Sequence, residues 1–158
     1  MISKKQSGLS IIEFTIVSSA LVLLVLGVVN FGHYVYSMQV LSDVSRTAAR
    51  LGTVCHVTDL GDIPGLALAD NVPTGFTAAN IDVDYLDDGG SVVTGTLTDN
   101  AVFTTIRYVR ARVVDYDYQF VGFLNFLGDD GALTVPEFES TLPVENLGVH
   151  ADGTFTNC

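Results

Sequence analysis

Positive charge is scarce in this sequence. Seven Lys and Arg stand against 18 Asp and Glu in 158 residues, a net charge of −11. The imbalance is concentrated: residues 37–158 hold five arginines (Arg46, Arg50, Arg107, Arg110, Arg112) against seventeen carboxylates, a net −12. Such a surface repels phosphates, which excludes nucleic acid as a partner and suits solubility outside a membrane, or divalent cations. Catalytic signatures are missing too. There is no G-x-S-x-G, H-E-x-x-H, P-loop or dinucleotide fingerprint, and His33, His56 and His150 stand apart from any nucleophile pattern. Neither an enzyme nor a cofactor is expected. Cysteine is limited to Cys55 and Cys158. One intramolecular bridge is the expected state if residues 37 onward face an oxidising compartment, and two free thiols if they do not. Closing a loop of that length stabilises by about 4–5 kcal/mol in the chain-entropy account.

Charge is also missing between Ile11 and Tyr36, where no Lys or Arg occurs. As a helix this stretch reaches ~39 Å, enough to cross a hydrocarbon core with tilt. Its polar exceptions are Glu13, Thr15, Ser18, Ser19, Asn30 and His33. Hydroxyls can bond back to their own turn at little cost. Tyr34 and Tyr36 stand where an interfacial aromatic belt is expected. Lys4 and Lys5 precede the span, while Arg46 and Arg50 follow it. The α-amino group and the cysteine placement favour a cytoplasmic N-terminus. Ser18–Ala20 has the small residues of a secretory cleavage site, but Glu13 would lie inside that signal's apolar region, and the apolar run continues beyond Ala20.

Glu13 needs a partner, because a carboxylate in lipid is expensive. A cut between Gly8 and Leu9 would supply one. The basic leader would leave, and a new amine would appear on Leu9, one helical turn from Glu13. The two charges can neutralise one another within a chain or between staggered chains. Gly8, without a Cβ, suits a narrow protease site.

A short basic leader, Gly, four residues, Glu and an aromatic before an apolar helix resembles the class III signal of type IV pilins. "GLSIIEF" (8–14), "LGVVNFGHYVY" (26–36) and "RTAARLG" (46–52) are similar to TadE-like pseudopilins of tight-adherence (Flp-type) pilus systems. Asn30 and His33 depart from the acid and arginine usual there. The resemblance implies a pilin-like fold and cleavage after Gly8 by a prepilin peptidase, exposing Leu9. It implies assembly contacts at Glu13 and Phe14. The implied partners are that peptidase, other pilin subunits, the pilus assembly platform and membrane lipid along residues 11–36. The implied place is a bacterial inner membrane, single-pass, with residues beyond the span exported and a role in building an adhesive surface pilus.

The organisation expected is α+β: a leader (1–8), a transmembrane helix (9–36), its extension (37–52) and a mainly antiparallel β-rich exported domain with loops (53–158). In the extension, Met38, Leu41, Val44 or Ser45, Ala48 and Leu51 form an apolar stripe at 3–4 spacing, Asp43 can pair with Arg46, and Gly52 reads as the stop. Residues 55–80 read as loop with one short helix. "IDVDYL" (81–86), the turn "DDGG" and "SVVTGTL" (91–97) predict a hairpin. In "RYVRARVVDYDYQF" (107–120) the apolar alternation changes phase at Val113–Val114, which predicts a bulge or a change of sheet. Residues 122–132 read as loop or short apolar helix, and 133–144 as a last long strand with Pro136 at an edge or bulge.

Two metal sites are considered. Asp82, Asp84, Asp87 and Asp88, with Asp129 and Asp130, supply oxygens for calcium, but the spacing is not that of an EF-hand, and the plainer reading is strand and turn. Zinc at Cys55, His56, His150 and Cys158 conflicts with a bridge that consumes both thiols. Tyr116, Tyr118, Phe120, Phe123 and Phe126 read as core. The alternative to a pilin-like assembly protein is a single-pass anchored domain that binds a partner or a divalent cation.

Overall fold

The computed structural model describes residues 7–120, 122–124 and 131–158. In chain order the elements are α1 (Ser7–Val54), α2 (Ile63–Ala67), β1 (Ile81–Leu86), α3 (Asn100–Phe103), β2 (Tyr108–Val113), β3 (Asp117–Gln119), β4 (Ala132–Thr134) and β5 (Glu139–Pro143), with short 3-10 turns at 57–59, 78–80 and 122–124. The architecture is the α+β one expected: a long apolar N-terminal helix and a small antiparallel sheet. Contacts divide the chain into two units. One holds α1 through Tyr36 with Gln119–Leu133, and the other holds Ser37–Tyr118 with Thr134–Cys158.

In the second unit, α1 buries one stripe: Ser37, Val40, Leu41, Val44, Ser45, Ala48, Ala49 and Thr53. The spacing is the helical three-four alternation, rotated slightly from the expected stripe, so that Met38 and Leu51 lie at its margins, half-buried. Buried hydroxyls are satisfied inside the helix, Ser45 donating to the Ser42 carbonyl and Thr53 to that of Arg50. Gly52 does not end the helix. It is the point of closest approach to the sheet, where an added Cβ would lie 2.5 Å from Val109 Cγ1. Asp43 and Arg46 stay exposed, and neither is in an ion pair among the described residues.

The sheet has order β1-β2-β5, all antiparallel. Ile81, Val83 and Tyr85 on β1 and Val109, Ala111 and Val113 on β2 form its buried face. The opposite face pairs charge across strands: Asp82 is opposite Arg112 and Asp84 opposite Arg110. The expected hairpin partner of β1 is corrected. The turn "DDGG" forms, with Asp87 accepting from the Gly89 and Ser91 amides. The return segment gives only an isolated bridge, Leu86 to Val92, with backbone bonds from Asp87 N–H to the Ser91 carbonyl and from Val93 N–H to the Tyr85 carbonyl. Gly95, at φ 115°, and the threonines beside it carry the chain away, and β2 takes the pairing.

The phase change at Val113–Val114 coincides with a change of sheet. β2 ends at Val113, Asp115 turns the chain at φ 51°, and β3 pairs with β4 in a separate two-stranded sheet. Asn80 holds this break, its side-chain amide donating to the Val114 and Asp115 carbonyls. The single long strand expected over 133–144 is also corrected. Pro136, which has no N–H to give a ladder, separates β4 from β5. The loop over 55–80 contains the short helix expected, α2, with Pro64 in its first turn.

Candidate functional site

Within the first unit, α1 presents an apolar surface along its length. Phe14 is 73% exposed, Leu24 67% and Phe31 63%, and the other large apolar side chains from Ile11 to Tyr36 are exposed alike, apart from the half-buried Tyr34. Each forgoes roughly 1.5–3 kcal/mol of burial in water. By length and composition the helix can cross a membrane. Three of its polar side chains turn inward to their own backbone. Thr15 Oγ1 donates to the Ile11 carbonyl (2.8 Å), Ser19 Oγ to that of Ile16 (3.0 Å) and Asn30 Nδ2 to that of Leu26 (2.8 Å). A low-dielectric solvent requires this accounting of every donor.

Glu13 is the exception. It is exposed, and among the described residues no cation pairs with it; the ion pairs there belong to Arg110 and Arg112. Gly8, Leu9, Glu13 and Phe14 lie on the same helix, which begins at Ser7. Four residues separate Leu9 from Glu13, a rise of ~6 Å and a little over one turn, so a charge at the Leu9 nitrogen and the Glu13 carboxylate share a face.

The candidates in the β-rich part of the chain are placed differently. Arg110 binds Asp84 at 2.7 Å, and Arg112 binds Asp82 at 2.6 Å and Asp84 at 3.3 Å. Hydrogen bonding to Asp82 raises the Arg112 guanidinium further above its ordinary value. Asp87 is committed to its turn, and Asp88 is exposed beside it. Among the described residues, no three His, Cys, Asp or Glu are grouped to hold a metal ion. Asp129, Asp130 and Phe126 lie outside the described residues. Phe120, expected in the core of the β domain, instead groups with the apolar half of α1, its ring 5.8 Å from that of Tyr34.

Cys55 and Cys158 are joined in a disulfide, which leaves neither for zinc. The surrounding contacts extend the clasp. The His56 amide donates to the Thr156 carbonyl, and the Cys158 amide to Asp59 Oδ2 (2.9 Å). The His56 ring lies 4.3 Å from that of Phe155, and His150 Nε2 is 2.8 Å from Thr156 Oγ1. The Cys158 N–H and the Thr58 hydroxyl hold the Asp59 carboxyl below its usual value. Gly148, at φ 70°, passes where a Cβ would lie 2.5 Å from the His56 nitrogen. Sequence reasoning missed Asp59 and Gly148. Both act on residues about a hundred positions away, and nothing local marks them.

Residues 8–50 match the family model of TadE-like proteins. No curated protein and no solved structure matches the chain.

Proposed function

We propose that this chain, TadE-like through residues 8–50, is a minor pilin-like subunit of a tight-adherence pilus system. A prepilin peptidase removes residues 1–8. The mature chain is held in the inner membrane by α1, with its N-terminus at the cytoplasmic face and the sheet exported. Export into an oxidising compartment agrees with the Cys55–Cys158 bridge. The subunit then acts in pilus assembly, through its apolar helix and through Glu13 and Phe14.

The observation that carries this reading is the chemistry of α1. Its apolar surface is exposed, Thr15, Ser19 and Asn30 are bonded inward, and the Glu13 carboxylate has no cation paired with it among the described residues. The Leu9 amine that processing releases meets it, in the same chain or in a staggered neighbour. Neither Gly8 nor Glu13 has a purpose in a plain anchor.

Mass spectrometry of the membrane form tests the proposal. A terminus at Leu9 is expected, whereas retention of Met1 would favour a simple tether. Gly8→Leu should keep the leader attached. Glu13→Ala should be cut and exported normally but be depleted from assembled material at least about tenfold, the effect of losing an ion pair worth ~1.4 kcal/mol or more. Normal assembly of that variant would remove the role given to the carboxylate.

A further inference from the structure

The first unit contains more than the helix. Among the described residues after β3, Phe120 and Gly122–Leu124 fall in the same unit as α1 up to Tyr36. The Phe120 ring packs 5.8 Å from Tyr34, and Tyr34 lies 6.3 Å from Phe31. Phe120 and Leu124 are half-buried, Gly122 is exposed, and Gly122–Leu124 forms a single 3-10 turn.

Glu13 supplies a ruler for the depth of this cluster. A carboxylate belongs at the inner edge of the hydrocarbon, not within it. Twenty residues at 1.5 Å each then cover the ~30 Å core. Counting from Glu13, the outer edge falls at His33, next to Tyr34. Tyr34 and its neighbour Phe120 are therefore level with the outer headgroup boundary, where aromatic rings are favoured. The sequence here is built for that boundary: among residues 120–128 none is charged and six are large and apolar, in a domain otherwise dense in carboxylates.

We propose that Phe120 and the turn Gly122–Leu124 form a second membrane contact, resting at the outer lipid interface beside the exit of α1. This rests on the reading of α1 as a membrane span. The partner is the lipid surface itself, engaged by apolar burial and not by capture of anionic headgroups. No Lys or Arg lies between Arg112 and Cys158, while Asp115 and Asp117 precede the contact. The contact must be given up when the helix is withdrawn.

The chain has no tryptophan, so a single introduced indole reports one place without ambiguity. The full chain is reconstituted at low density in phosphatidylcholine vesicles, with and without bromine near the top of the acyl chains. Leu124→Trp and Phe120→Trp are the reporters, and Ile16→Trp is the control inside the span. All three should lose roughly half or more of their emission to bromine, as expected for groups sunk ~5–10 Å into the boundary or deeper. Replacing part of the lipid with phosphatidylglycerol should change nothing. If Ile16→Trp is quenched while both loop reporters emit as water-exposed indoles, the second contact is wrong and the anchor stands. If Ile16→Trp is itself unquenched, the anchor reading fails first. Quenching of the loop reporters that depends on anionic lipid, or burial that appears only at high protein density, overturns the proposal in favour of headgroup capture or a neighbouring subunit.

Discussion

The Tyr85 hydroxyl is buried under α1, 3.5 Å from the Gly52 carbonyl oxygen to which it donates weakly. Burial, with a smaller contribution from the Asp59 charge, pushes its pKa from 10.0 up to about 12. The direction sets the pH dependence. Below pH 10 both folded and unfolded chains hold the proton, and the stability is intact. Between 10 and 12 the unfolded chain gives it up first, so stability falls as pH rises, by up to about 2–3 kcal/mol. Tyr116 is shifted the same way by its own burial. Tyr85→Phe should therefore unfold at nearly the wild-type temperature at pH 7 and lose distinctly less on going to pH 11.5, as read by circular dichroism. An unchanged alkaline slope would place the titrating group elsewhere. Asp59 acts at the other end of the scale. Its lowered carboxyl lends stability that is present above pH 3.8 and is lost as pH falls through the folded value.

Among the elements, the join between α1 and β2 is set by the absence of one side chain. Gly52 sits in the last turn of α1, which runs to Val54, where alanine would be favoured by up to about 1 kcal/mol. The sheet reverses that preference, because the added methyl would collide with Val109, a β-branched residue with little freedom to turn away. Overpacking of this kind costs about 1–3 kcal/mol. Gly52→Ala should thus destabilise by a net amount of up to ~2 kcal/mol in chemical denaturation. In a Val109→Ala background the same change should become neutral or stabilising, and that change of sign is the signature of the contact. Gly52 also shows where sequence reading stops. Locally it looks like a helix terminator, and only the strand above it explains why a glycine stands there while the helix runs on to Val54. The same limit misplaced the partner of β1, since a good turn at 87–90 does not say whether the return segment or a distant strand will win the pairing. By contrast, α1 and its buried stripe were legible from the 3.6-residue period. The sheet change was legible from the phase slip at Val113–Val114, and Pro136 marked the end of β4 although one long strand had been expected around it. At the candidate site, Glu13 and Gly8 were visible as a charge and a spacing that the apolar pattern could not absorb.

At the scale of the whole chain, a domain carrying −12 has to stay folded against its own repulsion, and the means on hand are few. Arg110 and Arg112 are spent on Asp82 and Asp84, and Arg107 donates to the carbonyls of Thr104 and Ile106. The disulfide matters correspondingly. It spans 103 positions and encloses every strand, so in the chain-entropy account it removes about 4–5 kcal/mol of freedom from the unfolded chain. Domains of this size are stable by only about 5–15 kcal/mol in all. The remaining attachments of the tail are the Thr156 backbone bonds, the Cys158 N–H bond to the Asp59 carboxylate and the His56–Phe155 ring contact. All of them vanish on unfolding, so none constrains the unfolded chain as the bridge does. A Cys55→Ser/Cys158→Ser variant should therefore lower the urea midpoint by an amount equivalent to about 4 kcal/mol, and reduction of the wild type should do the same. If the loss were below about 1 kcal/mol, the tail contacts would be holding the structure by themselves. If the loss is as large as expected, the domain reaches full stability only once the bridge has formed, and the reduced chain should be cut by protease at doses the oxidised form survives.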